Sequence, residues 1–196
     1  NGNVFLINPN GVLFGQGAQV NVQGLVASTL DVSDEVFLNG LSTINTNNAT
    51  FRWQDLSDDG LVTFDHPDNY VLVDQGATIT TPSGGRVWLM ARKVENRGTV
   101  SVEGGQAALL GGEAVYIKTP DQEPALYASE VNPNLPVLRG FLFEVDNAQG
   151  EVNNLGQVLT ERGNTTLMAH TVRHSGRIRA TTSVQENGSV FLLARS

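Results

Sequence analysis

Two histidines four positions apart are the residues that come nearest to a metal site in this sequence. His170 and His174 end the segment His-Thr-Val-Arg-His. On a helix they would share one face, but the surrounding residues predict a strand and a turn. Four extended residues span about 13 Å, which is too far for both side chains to bind one metal ion. We therefore expect two surface histidines and no metal site.

A polar stretch in the first third of the chain contains a group of aspartates. Carboxylate oxygens are the ligands that Ca²⁺ prefers, but the spacing here does not follow a recognised calcium loop. We expect a solvated loop, with a weak calcium site as the alternative. The residues are Asp55, Asp58, Asp59, Asp65 and Asp68.

Four large aromatic residues could form a platform for a carbohydrate. They are Phe51, Trp53, Tyr70 and Trp88. Trp88 lies between two apolar residues of a strand-like segment and could face outward. There it could cover a projecting loop or contact a partner, and packing is the favoured interpretation.

Composition excludes several functions. The 196 residues suffice for one domain with a core, and their formal charge of −8 argues against nucleic acid and against an anionic membrane. There is no cysteine, hence no disulfide and no thiolate metal site. No serine elbow, phosphate-binding loop or dinucleotide fingerprint is found, so no cofactor is expected.

A repeated seven-residue phrase organises the chain. A glycine opens each copy, and leucine occupies the fifth position in all five. Repeats at intervals of roughly 20 residues are typical of solenoids. The copies begin at Gly2, Gly85, Gly105, Gly163 and Gly188.

A second phrase alternates with the first and predicts stacked side chains. Its glycines lie 22 residues apart from Gly76 to Gly98 and 20 apart from Gly156 to Gly176. The alternation of apolar with polar or small residues is the period of a strand with one buried face. We expect two inward ladders of side chains: Val20, Ile79, Val100, Val158 and Ile178 in one, and Leu6, Leu89, Leu109, Leu167 and Leu192 in the other.

These patterns predict an all-β fold, a right-handed parallel β-helix with coils of about 20 residues. Each coil would carry two or three short strands joined by Gly or Asn turns. An antiparallel β-sandwich is the alternative, since it also has short strands at regular spacing. Its strands would not repeat one phrase with the glycine in register.

Two longer intervals interrupt the repeat, and we expect each to hold a coil plus an excursion from the solenoid. The excursions cover about residues 31–73 and 112–150 of a single domain, 1–196. In the first, Ser33 could cap a single helical turn that Gly40 ends. In the second, residues 137–143 are strand-like. Insertions in solenoids lie on the surface and often carry binding.

The tetrapeptide Asn8-Pro9-Asn10-Gly11 follows the first copy of the repeat. By itself it predicts a rigid turn, since proline fixes φ near −65° and glycine supplies a positive φ. With the segments that follow it to Gly40, it resembles the secretion domain of filamentous haemagglutinin-like exoproteins of two-partner secretion systems in Gram-negative bacteria. The β-helical phrases extend this resemblance more loosely over the whole chain.

The resemblance implies a non-catalytic secretion-recognition domain. Its partner would be an outer-membrane transporter with periplasmic POTRA domains, and Asn8, Pro9, Asn10 and Gly11 would form the recognition motif. The exoprotein would pass through the periplasm and outer membrane and fold at the cell surface or outside. The family has an N-terminal cap and an Asn-Pro-Asn-Leu motif upstream, so we expect a chain truncated at both ends. The letters Asn-Pro-Asn-Leu at 132–135 carry no role.

A carbohydrate-active β-helix enzyme, a polysaccharide lyase or glycoside hydrolase, is the alternative function. Its site would need two or three carboxylates on one face of the solenoid. The outward positions beside the valine and isoleucine ladder are Asn21, Thr80, Ser101, Leu159 and Arg179, none of them acidic. The resemblance instead implies an adhesin or haemagglutinin-like exoprotein and an expected monomer, with contacts to host-cell or surface glycans made by the full-length protein.

Overall fold

A computed structural model describes residues 2–38, 51–52, 69–118, 140–146, 149–181 and 189–194. Most of the described residues belong to short strands that stack in parallel, each pairing with a strand one coil further along. Three parallel sheets form the sides of a β-helix, and a small antiparallel sheet lies outside it.

The first side of the helix, sheet A, contains the first repeated phrase. Each strand begins at or just after a glycine, and neighbouring strands are in parallel register throughout. In spatial order the strands are β1 (Asn3–Ile7), β4 (Gly24–Ser28), β8 (Arg86–Ala91), β11 (Gln106–Gly111), β16 (Asn164–Ala169) and β19 (Ser189–Ala194).

The second side, sheet B, carries a valine ladder that runs from Val12 to Val172 through the register partners of each coil. Its strands are β2 (Val12–Phe14), β6 (Tyr70–Val73), β9 (Lys93–Asn96), β14 (Glu151–Asn154) and β17 (Thr171–His174).

The third side, sheet C, carries the second repeated phrase. Its register partners reproduce the predicted valine and isoleucine ladder in full, from Val20 to Ile178. The strands are β3 (Gln19–Asn21), β7 (Thr78–Thr81), β10 (Thr99–Glu103), β15 (Gln157–Glu161) and β18 (Arg177–Thr181).

The leucine ladder of sheet A needs one correction. Its predicted members are in register, but Ala27 of β4 stands between Leu6 and Leu89. The sheet therefore has six strands where five copies of the phrase were predicted. The glycine of β4 also lies one position later than in the repeated phrase. Gly24 pairs with Arg86, so the residue in register with Gly85 is Gln23. Leu6 remains 39% exposed, since β1 is the terminal strand of its sheet.

The expectation of one buried face per strand is confirmed for sheets B and C and is wrong for sheet A. Inside the helix, apolar side chains of all three sheets form one core. The outer face of sheet A is buried too, since every residue from 87 to 91 is inaccessible. A second apolar cluster lies there, between sheet A and the antiparallel sheet.

That antiparallel sheet, sheet D, is built from the two interruptions of the repeat. Its central strand β12 (Ala114–Lys118) pairs on one side with β13 (Leu142–Val145) and on the other with β5 (Phe51–Arg52). The first interruption thus contributes β5 and the second contributes β12 and β13. The strand-like residues Val137 and Leu138 lie outside the described residues, and the limits predicted for the excursions stay predictions.

A single short helix, α1 (Asp34–Leu38), stands among the described residues of the first interruption. The Ser33 hydroxyl accepts a hydrogen bond from the Val36 backbone N–H at 3.3 Å. This contact satisfies one of the free donors at the start of a helix, so the predicted cap is confirmed. Gly40, predicted to end the turn, lies outside the described residues.

Candidate functional site

The tetrapeptide at residues 8–11 forms a tight turn that joins β1 to β2. The Gly11 backbone N–H donates to the Asn8 carbonyl at 3.0 Å, which closes the turn. Gly11 has a φ of 116°, as the sequence predicted, and a side chain there would be strained. The predicted turn is confirmed.

The side chain of Asn8 rigidifies this turn from within. Its Oδ1 accepts a hydrogen bond from the Asn10 backbone N–H at 3.0 Å. The Asn8 backbone N–H donates to the Ser28 carbonyl at 2.9 Å and thereby ties the turn to the next coil. An asparagine that binds the chain two residues on mimics a backbone turn. Asn8 therefore has a structural role in addition to any role in recognition.

Asn10 differs from Asn8 in this respect. It is exposed, and its side chain makes no hydrogen bond to the described residues. The Asn10 amide offers a donor and an acceptor together to solvent, whereas Asn8 Oδ1 already accepts a hydrogen bond within the turn. Asn10 is thus the member of the motif whose side chain is available to another molecule.

Strand β2 and helix α1 carry exposed apolar side chains that were not predicted from the sequence. Leu13 of β2 is 59% exposed, because Val12 and Phe14 on either side of it face the core. In α1, Leu38 is 80% exposed and Phe37 is half exposed. The sequence does indicate the exposure of Leu13. Side chains alternate between the two faces of a strand, so three consecutive apolar residues place at least one on the outer face.

An aromatic contact fixes the helix against β1, the strand that leads into the turn. The ring of Phe37 packs edge-on against the ring of Phe5 in β1, with centroids 5.3 Å apart. Such edge-to-face pairs contribute about 0.5–1.5 kcal/mol beyond the area they bury. The corner of the first coil therefore presents two amides flanked by apolar side chains. We call this surface, formed by Asn8, Asn10, Leu13, Phe37 and Leu38, the turn surface.

The histidines are placed as predicted. His170 and His174 are both exposed, on and beside β17. His174 Nδ1 lies 3.1 Å from the side-chain nitrogen of Asn154. No group of three or more His, Cys, Asp or Glu residues suited to a metal occurs within the described ranges.

Three of the four aromatic residues considered as a carbohydrate platform lie within the described residues. Trp88 is buried between Phe141 and Phe143 of the second interruption, with ring centroids 5.1 and 5.3 Å apart. The packing interpretation is therefore confirmed. Phe51 is also fully buried, in the same cluster. Trp53, the five aspartates at 55–68 and the segment 132–135 lie outside the described residues.

A groove at another corner of the solenoid bears on the enzyme alternative. It has a volume of about 350 Å³ and is lined by glycines, two arginines, two amides and Phe141. None of these lining residues is acidic. The carboxylate set that a polysaccharide lyase or glycoside hydrolase requires is not present in this groove.

The part of the chain that the structure describes holds no helix long and apolar enough to cross a membrane.

Comparison with known proteins places these features in a family context. A family model described as "TPS secretion domain" matches residues 1–194. The crystal structure of the HMW1 secretion domain from Haemophilus influenzae superimposes with a TM-score of 0.67 at 28% sequence identity, covering 96% of this chain and 42% of that one.

A curated relative is similar over a short segment. The heme/hemopexin-binding protein of Haemophilus influenzae is 59% identical over 32 residues, which make up 16% of this chain and 3% of the relative. The same protein from strain ATCC 51907 / DSM 11121 / KW20 / Rd matches at the same identity over the same length. The chain thus spans a small part of these relatives and less than half of the HMW1 chain.

Proposed function

Because the chain belongs to the TPS secretion domain family, we propose that it directs export of a larger exoprotein by presenting the turn Asn8–Gly11 to a partner transporter. Two-partner secretion implies a secreted exoprotein that crosses the outer membrane, and a partner transporter in that membrane. The match over residues 1–194 is the observation that carries the proposal. The recognition role of Asn8, Pro9, Asn10 and Gly11, which the resemblance implies, is part of the proposal.

The turn surface supports this assignment chemically. Neutral amides on a rigid turn can pair with the backbone of a partner, and the flanking Leu13 and Leu38 supply apolar area. Rigidity favours binding, because a surface that is already ordered loses less conformational entropy on association. We propose that a periplasmic POTRA domain of the transporter makes this contact.

A comparison of two exposed asparagines tests the motif without disturbing the fold. Asn10→Ala removes the available amide, and Asn21→Ala removes an exposed amide on β3 of the same coil. Neither change should alter the free energy of unfolding by more than about 0.5 kcal/mol. We expect Asn10→Ala, and not Asn21→Ala, to reduce secretion of the full exoprotein several-fold in cells that express the transporter. Equal secretion of the two variants would refute recognition through Asn10.

A second pair of variants separates turn geometry from contact. Gly11→Ala and Gly17→Ala both place a side chain at positive φ, 116° and 77° respectively, in turns of the first coil. Each should cost about 1–2 kcal/mol of stability. If recognition requires the turn at residues 8–11, Gly11→Ala should reduce secretion more than Gly17→Ala at matched stability. An equal loss of secretion in the two variants at matched stability would indicate that secretion follows stability alone.

The hand and coil size of the solenoid belong to the same proposal. We propose right-handed coils of about 20 residues. Val158 pairs with Ile178, 20 positions further on. Crossovers between parallel strands are right-handed in about 98% of cases. An experimentally phased structure of the domain checks both features.

The activity of the whole exoprotein is a separate proposal. We propose a surface adhesin or haemagglutinin-like protein that contacts glycans through its full length, with this domain monomeric. The secretion domain family is non-catalytic, and we propose no enzymatic activity for this chain. Assays of the secreted full-length protein for cell binding, and of the domain for polysaccharide cleavage, test the two statements. Cleavage by the domain would restore the enzyme alternative.

A further inference from the structure

The groove at the corner between sheets C and A has features that the secretion function does not explain. The chain turns this corner through a left-handed residue in three successive coils. In the first two it is glycine, with φ of 77° at Gly84 and 58° at Gly104. In the third, two residues before Asn164, it is Arg162, with φ of 57°. Arg162 is the one non-glycine residue with positive φ among the described parts of the chain.

An arginine in this position is strained where glycine would not be. Residues held in sparsely populated backbone regions concentrate at functional sites. Arg162 lines the groove and donates a hydrogen bond to Glu103 Oε1 at 2.8 Å. This bond uses one of five N–H donors of the guanidinium.

A second arginine, Arg86 of β8, lines the same groove. The guanidinium carbon of Arg86 lies 5.3 Å from the centre of the Trp88 ring and 5.6 Å from that of Phe141. Arg86 is partly buried, and the described residues provide it with no hydrogen-bond acceptor and no carboxylate partner. Since its faces contact aromatic rings, the N–H groups in the plane of the guanidinium remain for a ligand.

The remaining wall is polar backbone and amide. Glycines form the floor, and Gln106 is held in place by two hydrogen bonds with the Phe141 backbone, at 2.7 and 3.1 Å. Phe141 is the sole aromatic side chain in the lining. Such a wall suits a ligand rich in hydroxyl groups better than an apolar one. The volume of about 350 Å³ is near the lower limit for ligand pockets, about 300–1,000 Å³, and suits one sugar ring.

We propose that this groove binds a carboxylate-bearing sugar, such as a uronic acid, with Arg86 as the main carboxylate ligand and Arg162 at the rim. The chain has a net charge of −8, so a general attraction for anions does not account for such binding. Planar recognition of a carboxylate by a guanidinium would account for it. The proposal is independent of transporter recognition, because the turn surface lies in the first coil.

The test is an NMR titration of the whole 196-residue domain with glucuronate, and with its methyl ester, acetate and a glutamate-rich peptide as reference ligands. We expect saturable shifts at the backbone amides of Gly84, Gly104 and Phe141 with glucuronate. The ester, which has the ring without the charge, should bind at least about tenfold more weakly, as loss of a charged hydrogen bond implies. Acetate or a glutamate-rich peptide that binds as tightly as glucuronate would overturn the assignment to a sugar.

Three variants locate the site. Arg86→Gln removes the charge and keeps an amide, and should weaken glucuronate binding by about tenfold or more. Arg162→Gly restores the residue that the two preceding coils have at this corner, so it should fold at least as well as the parent and still bind more weakly. Arg177→Gln makes the same charge change at the far end of sheet C and should bind as the parent does. Unchanged affinity in Arg162→Gly and in a folded Arg86→Gln would overturn the proposal. If Arg86→Gln does not fold, Arg162→Gly alone decides.

Discussion

The stacking of coils at the glycine corner of sheet A can be tested by adding one methyl group. At Gly105, a Cβ would lie 1.8 Å from the carbonyl oxygen of Gly85 and 2.8 Å from its carbonyl carbon. A Cβ at Gly163 would in turn lie 2.2 Å from the carbonyl oxygen of Gly105. Real Cβ atoms essentially never come within 3.0 Å of such atoms. Gly105→Ala must therefore separate two coils by at least about 1 Å at this corner.

The cost follows from what surrounds the new methyl group. Its neighbours are backbone atoms of the adjacent coil, which cannot rotate away as a flexible side chain would. Overpacking of this kind costs about 1–3 kcal/mol. The Gln106 N–H also donates to the Gly85 carbonyl at 3.1 Å, and weakening this bond adds about 0.5–1.5 kcal/mol. We expect Gly105→Ala to lower the free energy of unfolding by about 2–4 kcal/mol, a large part of the total for a typical domain.

Gly15→Ala is the matched control. A Cβ at Gly15 would meet no heavy atom within 4 Å, and its φ is not in the left-handed region. The substitution should leave the free energy of unfolding unchanged or raise it by up to about 1 kcal/mol, because alanine lowers the conformational entropy of the unfolded chain. Urea denaturation followed by circular dichroism gives both values, and hydrogen exchange at the amides of Gln106 and Asn164 shows whether the loss is local. A Gly105→Ala domain within about 0.5 kcal/mol of the parent would refute this account of the corner.

Two further predictions use the same denaturation assay. Trp88→Ala should lower the free energy of unfolding by about 3–5 kcal/mol, because the side chain is fully buried. Trp88→Phe should lower it less, since this variant keeps an aromatic ring. Equal losses in the two variants would contradict this packing. Asn96→Ala should cost about 1–3 kcal/mol, because the buried Asn96 amide donates to Asn154 Oδ1 at 2.8 Å and to the Gln157 carbonyl at 3.1 Å. The exposed Asn21→Ala should change stability by less than about 0.5 kcal/mol, and a similar loss in both asparagine variants would show that the buried pair contributes nothing specific.

The ladders of sheet C could be predicted because their sequence signal is local. In each coil a branched aliphatic residue lies two or three positions after a glycine, and stacking in register brings these residues together. The cap of α1 and the turn at Asn8 were predictable for the same reason. In each case a side chain or a glycine acts on backbone within three residues.

Strand β4 was missed because two of its residues depart from the phrase. Ala27 replaces the leucine of the ladder, and the glycine falls one position late, at Gly24. Both departures fit their surroundings. Ala27 is fully buried, and a Cβ at Gly24 would lie 2.3 Å from Asn3 Oδ1. The residues of β4 thus depart from the repeated phrase where local packing requires it, while the strand keeps its parallel register with β1 and β8.

Sheet D could not be predicted, because its strands come from segments far apart in the chain. Val115 pairs with Phe51 on one side and with Val145 on the other. No period in the sequence marks such pairings. One sequence feature did indicate that something covers sheet A: the apolar run from 87 to 91 leaves alternate side chains outside a strand.

The burial of Trp88 shows how the two interruptions depend on the solenoid. The outer face of sheet A has fully buried apolar side chains in successive coils, including Trp88, Met90 and Leu110, and sheet D covers them. Sheet D is itself only three strands, and small sheets need a packed face for stability. We therefore expect neither sheet A nor sheet D, with this sequence, to be stable without the other. It follows that the coils carrying β8 and β11 must form before, or together with, the pairing of β5 with β12. The interruptions are thus expected to dock no earlier than these coils form.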